Sequence, residues 1–575
     1  MRETIDSMTK KPAGILYLAD DVPPVAVTIV NALQYVAVTS SFLVFPLIIV
    51  REAHLAASSA DAMLAWAMLV LALGTTLQAL PFGPVGSGYL APSVMTAVFL
   101  GPSVEAVRIG GIAVMSGMTI FSGAVQAALS GSLNRLRTVL PPELAGVVVF
   151  LVGVSNGVVG LRYLLQPGGG ALPDTRFWIV AAITLAVTVS ANVWSRGVLG
   201  LSCALFGMIA GYCAAIGTGV LPFDKLAEVA ALPAFAAPAV AQIGWSFDAT
   251  LILPFTIAAM ANGMKAAGLL TACQRLQDAD WVRPDLKPIS RGVLADAIGV
   301  AAGGLVSVFA VNTSASSVGL SAATGVTSRR VAYVMSIVFV ALAFLPAVTR
   351  LLVLMPEPVV GATLVFTSCA VLKNGIETIA ARIYDTRKTL VVGLSIMAGF
   401  GVEAFPAAFR QMPDWLHPIT VSSLVFGTVV GFLLNLLFRL GQRRRLSMTI
   451  DPAIHDADAL KQFVEGSGAS WGARRDVVIH AEWAAQELVG AVEATCNPRG
   501  KMALSVLFDE YSLDLDLRYS GDAFPVVKDK PSIDEMVADD AGLRRMSSYL
   551  LGRRASNLTT SRDGDICNVR LHFDN

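Results

Sequence analysis

The residue whose chemistry is hardest to place without a function is Lys265, in the apolar stretch ILPFTIAAMANGMKAAGLLTA. Asn262 lies one turn before it and Gly268 about one turn after it. An ammonium at membrane depth is costly and marks a site by default, so Lys265 should face a cavity or an anion. Two blander readings stand beside this one. Lys265 could sit near the span's inner end and reach the interface, or it could pair with Asp296 in the next span. Asp248 and Glu403 fall near span ends and read as interfacial. A second constellation is the polar run Asn312, Thr313, Ser314, Ser316, Ser317, Ser321 and Thr324. Its hydroxyls and free backbone amides suit a small polar heterocycle, and a half-helix N-terminus there would add positive potential. Close helix packing explains small residues, but not this many hydroxyls beside Asn312. Ser87–Ser93 (SGYLAPS) offers an opposing break, with Tyr89 as a stacking partner or an interface anchor.

Enzyme chemistry finds no support. The five histidines (His54, His417, His455, His480, His572) fall in loops or the tail, and the six cysteines are dispersed without metal spacing. No phosphate-binding GxxxxGK[ST] loop occurs. Neither a cofactor nor a metal is expected, and nothing suggests nucleic acid.

The elements that must position these groups are membrane spans. Hydrophobic residues make up 55% of the chain and charged residues 15%, far below the quarter usual in soluble domains. Apolar stretches of spanning length are Val25–Val50, Ala62–Leu80, Ile109–Ser130, Leu140–Leu165, Phe177–Trp194, Leu199–Gly219, Ala249–Cys273, Gly292–Phe309, Val331–Met355, Val359–Ala380, Leu390–Phe405 and Ile419–Phe438. Two further segments, Phe82–Leu100 and Val311–Val326, are apolar but too rich in Gly, Ser, Thr and Pro to be ordinary helices. Irregular backbone at that depth must be buried in protein or line a cavity, and matched breaks in two halves point to a transporter's site. The sum is about fourteen crossings, seven in each half, which makes the halves inverted repeats with the breaks third and tenth. Cations such as Arg135, Arg137, Arg196, Arg275 and Arg443–Arg445 crowd one side, placing both termini in the cytoplasm of a multi-pass inner (plasma) membrane protein. The N-terminus has no signal-peptide pattern.

The division expected is a cytoplasmic tail over 1–24, a transporter domain over 25–440, a basic linker over 441–454 and a soluble α+β domain over 455–575. In the last, Ala481–Thr495 has helical periodicity, Leu504–Phe508, Leu513–Arg518 and Asn568–Phe573 read as strands, and Gly542–Leu551 as a helix.

The transporter half resembles the nucleobase–ascorbate transporter family (xanthine/uracil permeases). That family's signature, Gln/Glu/Pro–Asn–x–Gly–x4–Thr–Arg/Lys/Gly, meets Ser316-Ser317-Val318-Gly319 and runs on to Thr324-Gly325. Gly319, Thr324 and Gly325 match; Ser316 and Ser317 replace an acid or amide and an Asn. The family's Gln–His pair appears as Gln34-Tyr35, and its Glu–x–x–Gly as Lys265-Ala266-Ala267-Gly268. The resemblance implies a core domain with the site, a gate domain, elevator-type symport and a homodimer. It also implies a substrate site of Gln34, Tyr35, Tyr89, Asn262, Lys265, Ser316, Ser317 and Gly319, with Lys265, Asp296 and Thr324 in coupling or support. A cation in place of the family's carboxylate argues against simple proton symport and for an anionic, urate- or xanthine-like purine. The tail resembles the ATPase-like domain of anti-sigma-factor kinases and histidine kinases, in Glu487–Ala491, Arg518–Pro525 and Ala541-Gly542-Leu543. Ala491 stands where that family holds magnesium with an Asn, and Tyr519 where it reads adenine with an Asp, so a regulatory, partner-binding role is expected rather than ATP hydrolysis. Two other functions stay open: an anion carrier of the sulfate-permease type, and a transporter-like sensor signalling through the tail.

Overall fold

The computed structural model describes residues 11–12, 14–131, 142–166, 173–195, 200, 202–239, 244–279, 281, 284–380, 386–413, 420, 423–438, 444–451, 457–471, 473, 475–509, 512–527 and 540–574. Arg135, Arg137, Arg196 and Arg443 of the charge asymmetry lie outside the described residues. Two compact units divide the chain: Met1–Thr378 with Leu394–Gly431, and Ile379–Gly393 with Phe432–Asn575.

The first unit is helical. Helix α1 (Val25–Ser40) starts behind Pro24 and continues through a short 3-10 turn into α2 (Val44–Glu52). Then come α3 (Ala57–Ala79), strand β1 (Ser93–Met95) and α4 (Leu100–Ser130). The expected break over Phe82–Leu100 reaches further than composition suggests. Inside α4, Gly110 (φ −150°, ψ 24°) and Gly111 (φ 70°, ψ −163°) interrupt the helix, leaving a half-helix over 100–109 before the span proper. A positive φ of this kind is open mainly to glycine.

Next are α5 (Pro142–Leu165), α6 (Thr175–Trp194), α7 (Cys203–Thr218), the short α8 (Phe223–Ala230), α9 (Ile252–Gln277) and α10 (Leu286–Leu305). The second break is strand β2 (Val311–Thr313) and the 10-residue α11 (Ala315–Thr324), capped by the Ser314 side chain and closed by Gly325 in the left-handed region. Helices α12 (Arg329–Ala343) and α13 (Pro346–Val353) occupy the expected span Val331–Met355 but meet at 79°, because Pro346 cannot continue the helix before it. Helices α14 (Glu357–Ala380), α15 (Thr386–Ala404), α16 (Pro406–Arg410) and α17 (Ser423–Phe438) follow, and the unit boundaries cut through α14, α15 and α17.

Among the described residues seven helical stretches are long and apolar enough to cross a membrane, or eight if α12 and α13 count as one span. Helices α7 and α17 are apolar but shorter. The protein is a multi-pass membrane protein.

What joins the breaks is a two-stranded antiparallel sheet. Ser93 faces Thr313, Val94 faces Asn312 and Met95 faces Val311. Glycines admit it. A Cβ on Gly74 of α3 would lie 2.7 Å from Ser93 Oγ, and one on Gly299 of α10 would lie 2.8 Å from Val311 Cγ2 and 3.9 Å from Gly74 Cα. Helices α3 and α10 therefore cross at two glycines, each bearing one strand.

The second unit holds a five-stranded antiparallel sheet in the order β3 (Arg444–Ile450), β4 (Met502–Asp509), β5 (Ser512–Ser520), β7 (Ile566–Asp574), β6 (Asn557–Asp563). Its helices are α18 (Ala457–Trp471), α19 (Arg475–Thr495) and α20 (Asp540–Arg554). Alternate residues Leu513, Leu515, Leu517 and Tyr519 join Leu460, Leu488, Val492 and Leu551 in one core. The intervening residues carry charge, with His572 Nδ1 2.6 Å from Asp514 and Arg570 3.7 Å from Asp516. Tyr519, aligned with an adenine-reading acid in the tail resemblance, is a core residue whose hydroxyl donates to the Asp522 carbonyl at 2.8 Å. Burial pushes its phenol above the ordinary range.

Candidate functional site

Two buried clasps hold the paired breaks. In the first, the Asp296 carboxylate on α10 accepts from the Thr313 amide (3.1 Å), the Thr313 hydroxyl (3.0 Å) and Gln78 Nε2 of α3 (2.8 Å). Gln78 also donates to the Gly292 carbonyl at 2.8 Å. Each of these groups can donate to the carboxylate. In the second clasp, Asn262 Nδ2 of α9 donates to Gln126 Oε1 of α4 at 3.0 Å, while its Oδ1 accepts from the Thr96 hydroxyl at 3.3 Å. Asn312 Nδ2 donates to the Asn262 carbonyl at 2.9 Å and to Asn262 Oδ1. Asn262 thus touches both breaks, Thr96 after β1 and Asn312 within β2. The Ser93 amide donates to Thr75 Oγ1 at 3.1 Å, and the Ser314 amide to the Pro92 carbonyl at 2.9 Å.

Around these clasps polar capacity is left over. Ser93 Oγ, Gln78 Oε1, Asn312 Oδ1 and Ser317 Oγ are buried with no hydrogen-bond partner among the described residues, as are Asn31 Oδ1 and Gln34 Oε1 on α1. A buried unsatisfied polar group costs about 1–3 kcal/mol, so a cluster of them asks for water or a polar ligand.

The sequence-predicted residues divide. Asn262 is fully buried and spent on the clasp, and Asp296 is spent on Thr313 and Gln78. Tyr35 is fully buried, with its hydroxyl 2.7 Å from Ser321 Oγ of α11. The Ser317 amide donates to the capping Ser314 Oγ at 3.1 Å. Tyr89 packs in one apolar cluster with Ala91, Ala266, Leu270 and Val318, so the lead-in to β1, α9 and the first turn of α11 share a surface. Ser316 is half-buried, and Gly319 is exposed with open space where a Cβ would stand. Thr324 bonds its own helix, donating to the Leu320 carbonyl at 2.9 Å. Lys265 is half-buried in this stretch of α9 and makes no hydrogen bond or ion pair within 4.0 Å among the described residues; Asp296 acts on it only through space. The direct Lys265–Asp296 pair is therefore not made. Gln78, Gln126, Thr75 and Thr96 belong to the site and were not singled out from the sequence. The signal available was a glutamine near the C-terminal end of each of two apolar helices.

Comparisons with known proteins give the family. The chain is similar to the xanthine permease XanP of Escherichia coli, 25% identical over 459 residues, covering 76% of this chain and 98% of that one. It is similar to the nucleobase transporter PlUacP of Paenibacillus larvae, 24% identical over 422 residues, covering 71% and 94%. Against the murine Slc26a9 anion transporter in its inward-facing state the TM-score is 0.49 at 13% identity, covering 75% of this chain and 71% of that one, too low to argue from. Residues 27–408 match the Xan_ur_permease profile, described as the permease family. That is more than half the chain, and with the transporter relatives it leaves a membrane permease and no enzyme: the chain belongs to the permease family.

Proposed function

We propose that this permease is a secondary transporter of a purine-type nucleobase, xanthine- or urate-like, which it takes as an anion with Lys265 close by. The observation that carries the reading is the paired β1–β2 break, held by Asp296 and Asn262 and ringed by unsatisfied buried acceptors and hydroxyls. A purine presents ring N–H donors and carbonyl acceptors that such a ring of groups would complete. The Lys265 ammonium, which has no ion-pair partner within 4.0 Å among the described residues, supplies the countercharge. Similarity to the xanthine permease XanP and the nucleobase transporter PlUacP supports the substrate class.

In this reading the substrate contacts come from Gln34, Tyr89, Lys265, Ser316, Ser317 and the open space at Gly319, while Tyr35, Asn262, Asp296 and Thr324 hold the frame. The chain folds as fourteen segments in a seven-plus-seven inverted repeat. It works as a homodimer by an elevator motion in the inner membrane, with both termini cytoplasmic. The C-terminal unit is regulatory and binds a protein partner.

The test is uptake by purified protein in vesicles, with xanthine, urate, uracil and sulfate as solutes across pH, for the wild type and Lys265→Gln. The expected result is purine uptake that rises with the anionic fraction and loses that pH dependence in Lys265→Gln. Unchanged solute range and pH response in the variant would remove Lys265 from the site, and sulfate uptake without purine uptake would overturn the substrate class.

A further inference from the structure

The N-terminal tail, expected only as a cytoplasmic leader to the first span, is built into the second break. Residues 15–19 run beside the end of the second break, with a single parallel β-bridge between Tyr17 and Val326; Ile15 and Ala19 are buried, Tyr17 and Leu18 half-buried and Leu16 exposed. The amides of Leu16 and Tyr17 both donate to the Gly325 carbonyl, at 2.7 and 3.0 Å. The Thr327 amide and hydroxyl return bonds to the Tyr17 carbonyl at 2.9 and 2.7 Å, and the Arg329 amide to the Ala19 carbonyl at 3.1 Å. The Ala19 amide reaches across to Gln277 Oε1 at the end of α9, at 2.9 Å.

Two features make the seat specific. Gly325 ends α11 with φ +67°, and a Cβ there would run into the Gly14 carbonyl. Arg329 grips the Asp20 carboxylate with both terminal nitrogens while its Nε donates to the Gly88 carbonyl at 2.7 Å. Gly88 lies in the loop ahead of β1, next to Tyr89. The tail thus touches the end of α11, the end of α9 and, through Arg329, the lead-in to the first break. All three carry site residues.

We infer that residues 14–21 are a positioning strap that fixes the C-terminal end of α11 and thereby sets the affinity of the site for its solute. A free α11 could tilt about β2, moving Ser316 and Ser317 away from α9. The strap holds the helix at its far end, so the site is gripped from β2 on one side and from the tail on the other. This inference rests on the proposed reading that α11 lines the substrate site.

Two variants of the full chain test it. Tyr17→Pro removes one amide donor to Gly325 and the backbone freedom to seat the rest; Asp20→Lys keeps every backbone bond and opposes Arg329. Both are measured for xanthine uptake in vesicles, for melting temperature, and for hydrogen exchange of the amides over 315–329. If each strap bond couples to substrate with the strength of one ordinary hydrogen bond, Tyr17→Pro should raise the KM for xanthine about fivefold or more with the maximal rate retained. Exchange over 315–329 should quicken in both variants, more in Tyr17→Pro. Unchanged exchange in Tyr17→Pro overturns the strap. Faster exchange or a lower melting temperature with an unchanged KM makes the tail a structural tie alone and overturns the link to affinity. A wild type that takes up no xanthine defeats the proposed function instead, and the exchange data then still decide whether the tail fixes α11.

Discussion

Replacing Asp296 by Asn is the sharpest probe of the frame, because the carboxylate has no slack. Its oxygens accept from Gln78 Nε2 at 2.8 Å and from the Thr313 amide at 3.1 Å, with the Thr313 hydroxyl shared between them at 3.0 and 3.2 Å. The side chain is 1% exposed, so water cannot substitute. An Asn amide keeps one oxygen and puts an –NH2 where the other was. Turned one way its –NH2 faces the Thr313 amide; turned the other it faces Gln78, which could accept only by taking its Nε2 from the Gly292 carbonyl. One buried donor left unsatisfied costs about 1–3 kcal/mol, and the bonds that survive lose their charge assistance. At about 1.4 kcal/mol per factor of ten, β2 should leave its paired position about five- to 150-fold more often. The assay is xanthine uptake by purified protein in vesicles, read as KM and maximal rate, beside thermal melting with and without xanthine. Asp296→Asn should raise KM by at least the lower end of that range and shrink the xanthine-induced gain in melting temperature. Thr313→Val, which keeps the backbone bond and loses only the hydroxyl, should cost about 1 kcal/mol. The two changes should be non-additive, since they share a partner. An Asp296→Asn protein with KM and melting within error of the wild type would refute the assignment of Asp296 as the clasp of the second break.

Other outcomes follow from the same geometry. Gly74→Ala should destabilise by about 1–3 kcal/mol in a melting assay, because its Cβ would stand 2.7 Å from Ser93 Oγ in a packed crossing. Gly319→Ala, with open space around it, should melt no lower than the wild type; a raised KM for xanthine at unchanged stability would place the solute beside it. Tyr35→Phe, which removes the 2.7 Å bond to Ser321, should cost about 1 kcal/mol of stability and leave the maximal rate intact. Calorimetric titration of the full chain with magnesium and ATP should show no binding, since Ala491 offers no oxygen ligand; measurable affinity would overturn that expectation.

The breaks were legible because Gly, Ser and Pro cannot be explained away in an apolar setting. Their partners were not. Gln78 and Gln126 look like lone polar residues on helices whose facing neighbours no spacing rule reveals, and the pairing of Ser93–Met95 with Val311–Thr313 joins segments more than two hundred residues apart. The half-helix over 100–109 was hidden because Gly110-Gly111 reads as one more small pair within a span. Asn262 was found by its depth, yet its geometry makes it a clasp. Lys265 was found by its cost in lipid, and among the described residues its charge has no partner at contact distance. The tail was not singled out because Ile15–Ala19 (ILYLA) is uniformly apolar, without the alternation that marks a strand.

The crossing of α3 and α10 at Gly74 and Gly299 has a consequence for how solute passes. Each strand rests on one of these helices and is hydrogen-bonded to the other strand, so neither can be withdrawn while its counterpart stays put. Whatever lies between them is held in a single tray rather than in a pair of jaws. Under the elevator motion proposed above, release comes from sliding the whole tray past its surroundings, and substitutions at its floor should slow the journey for every cargo alike.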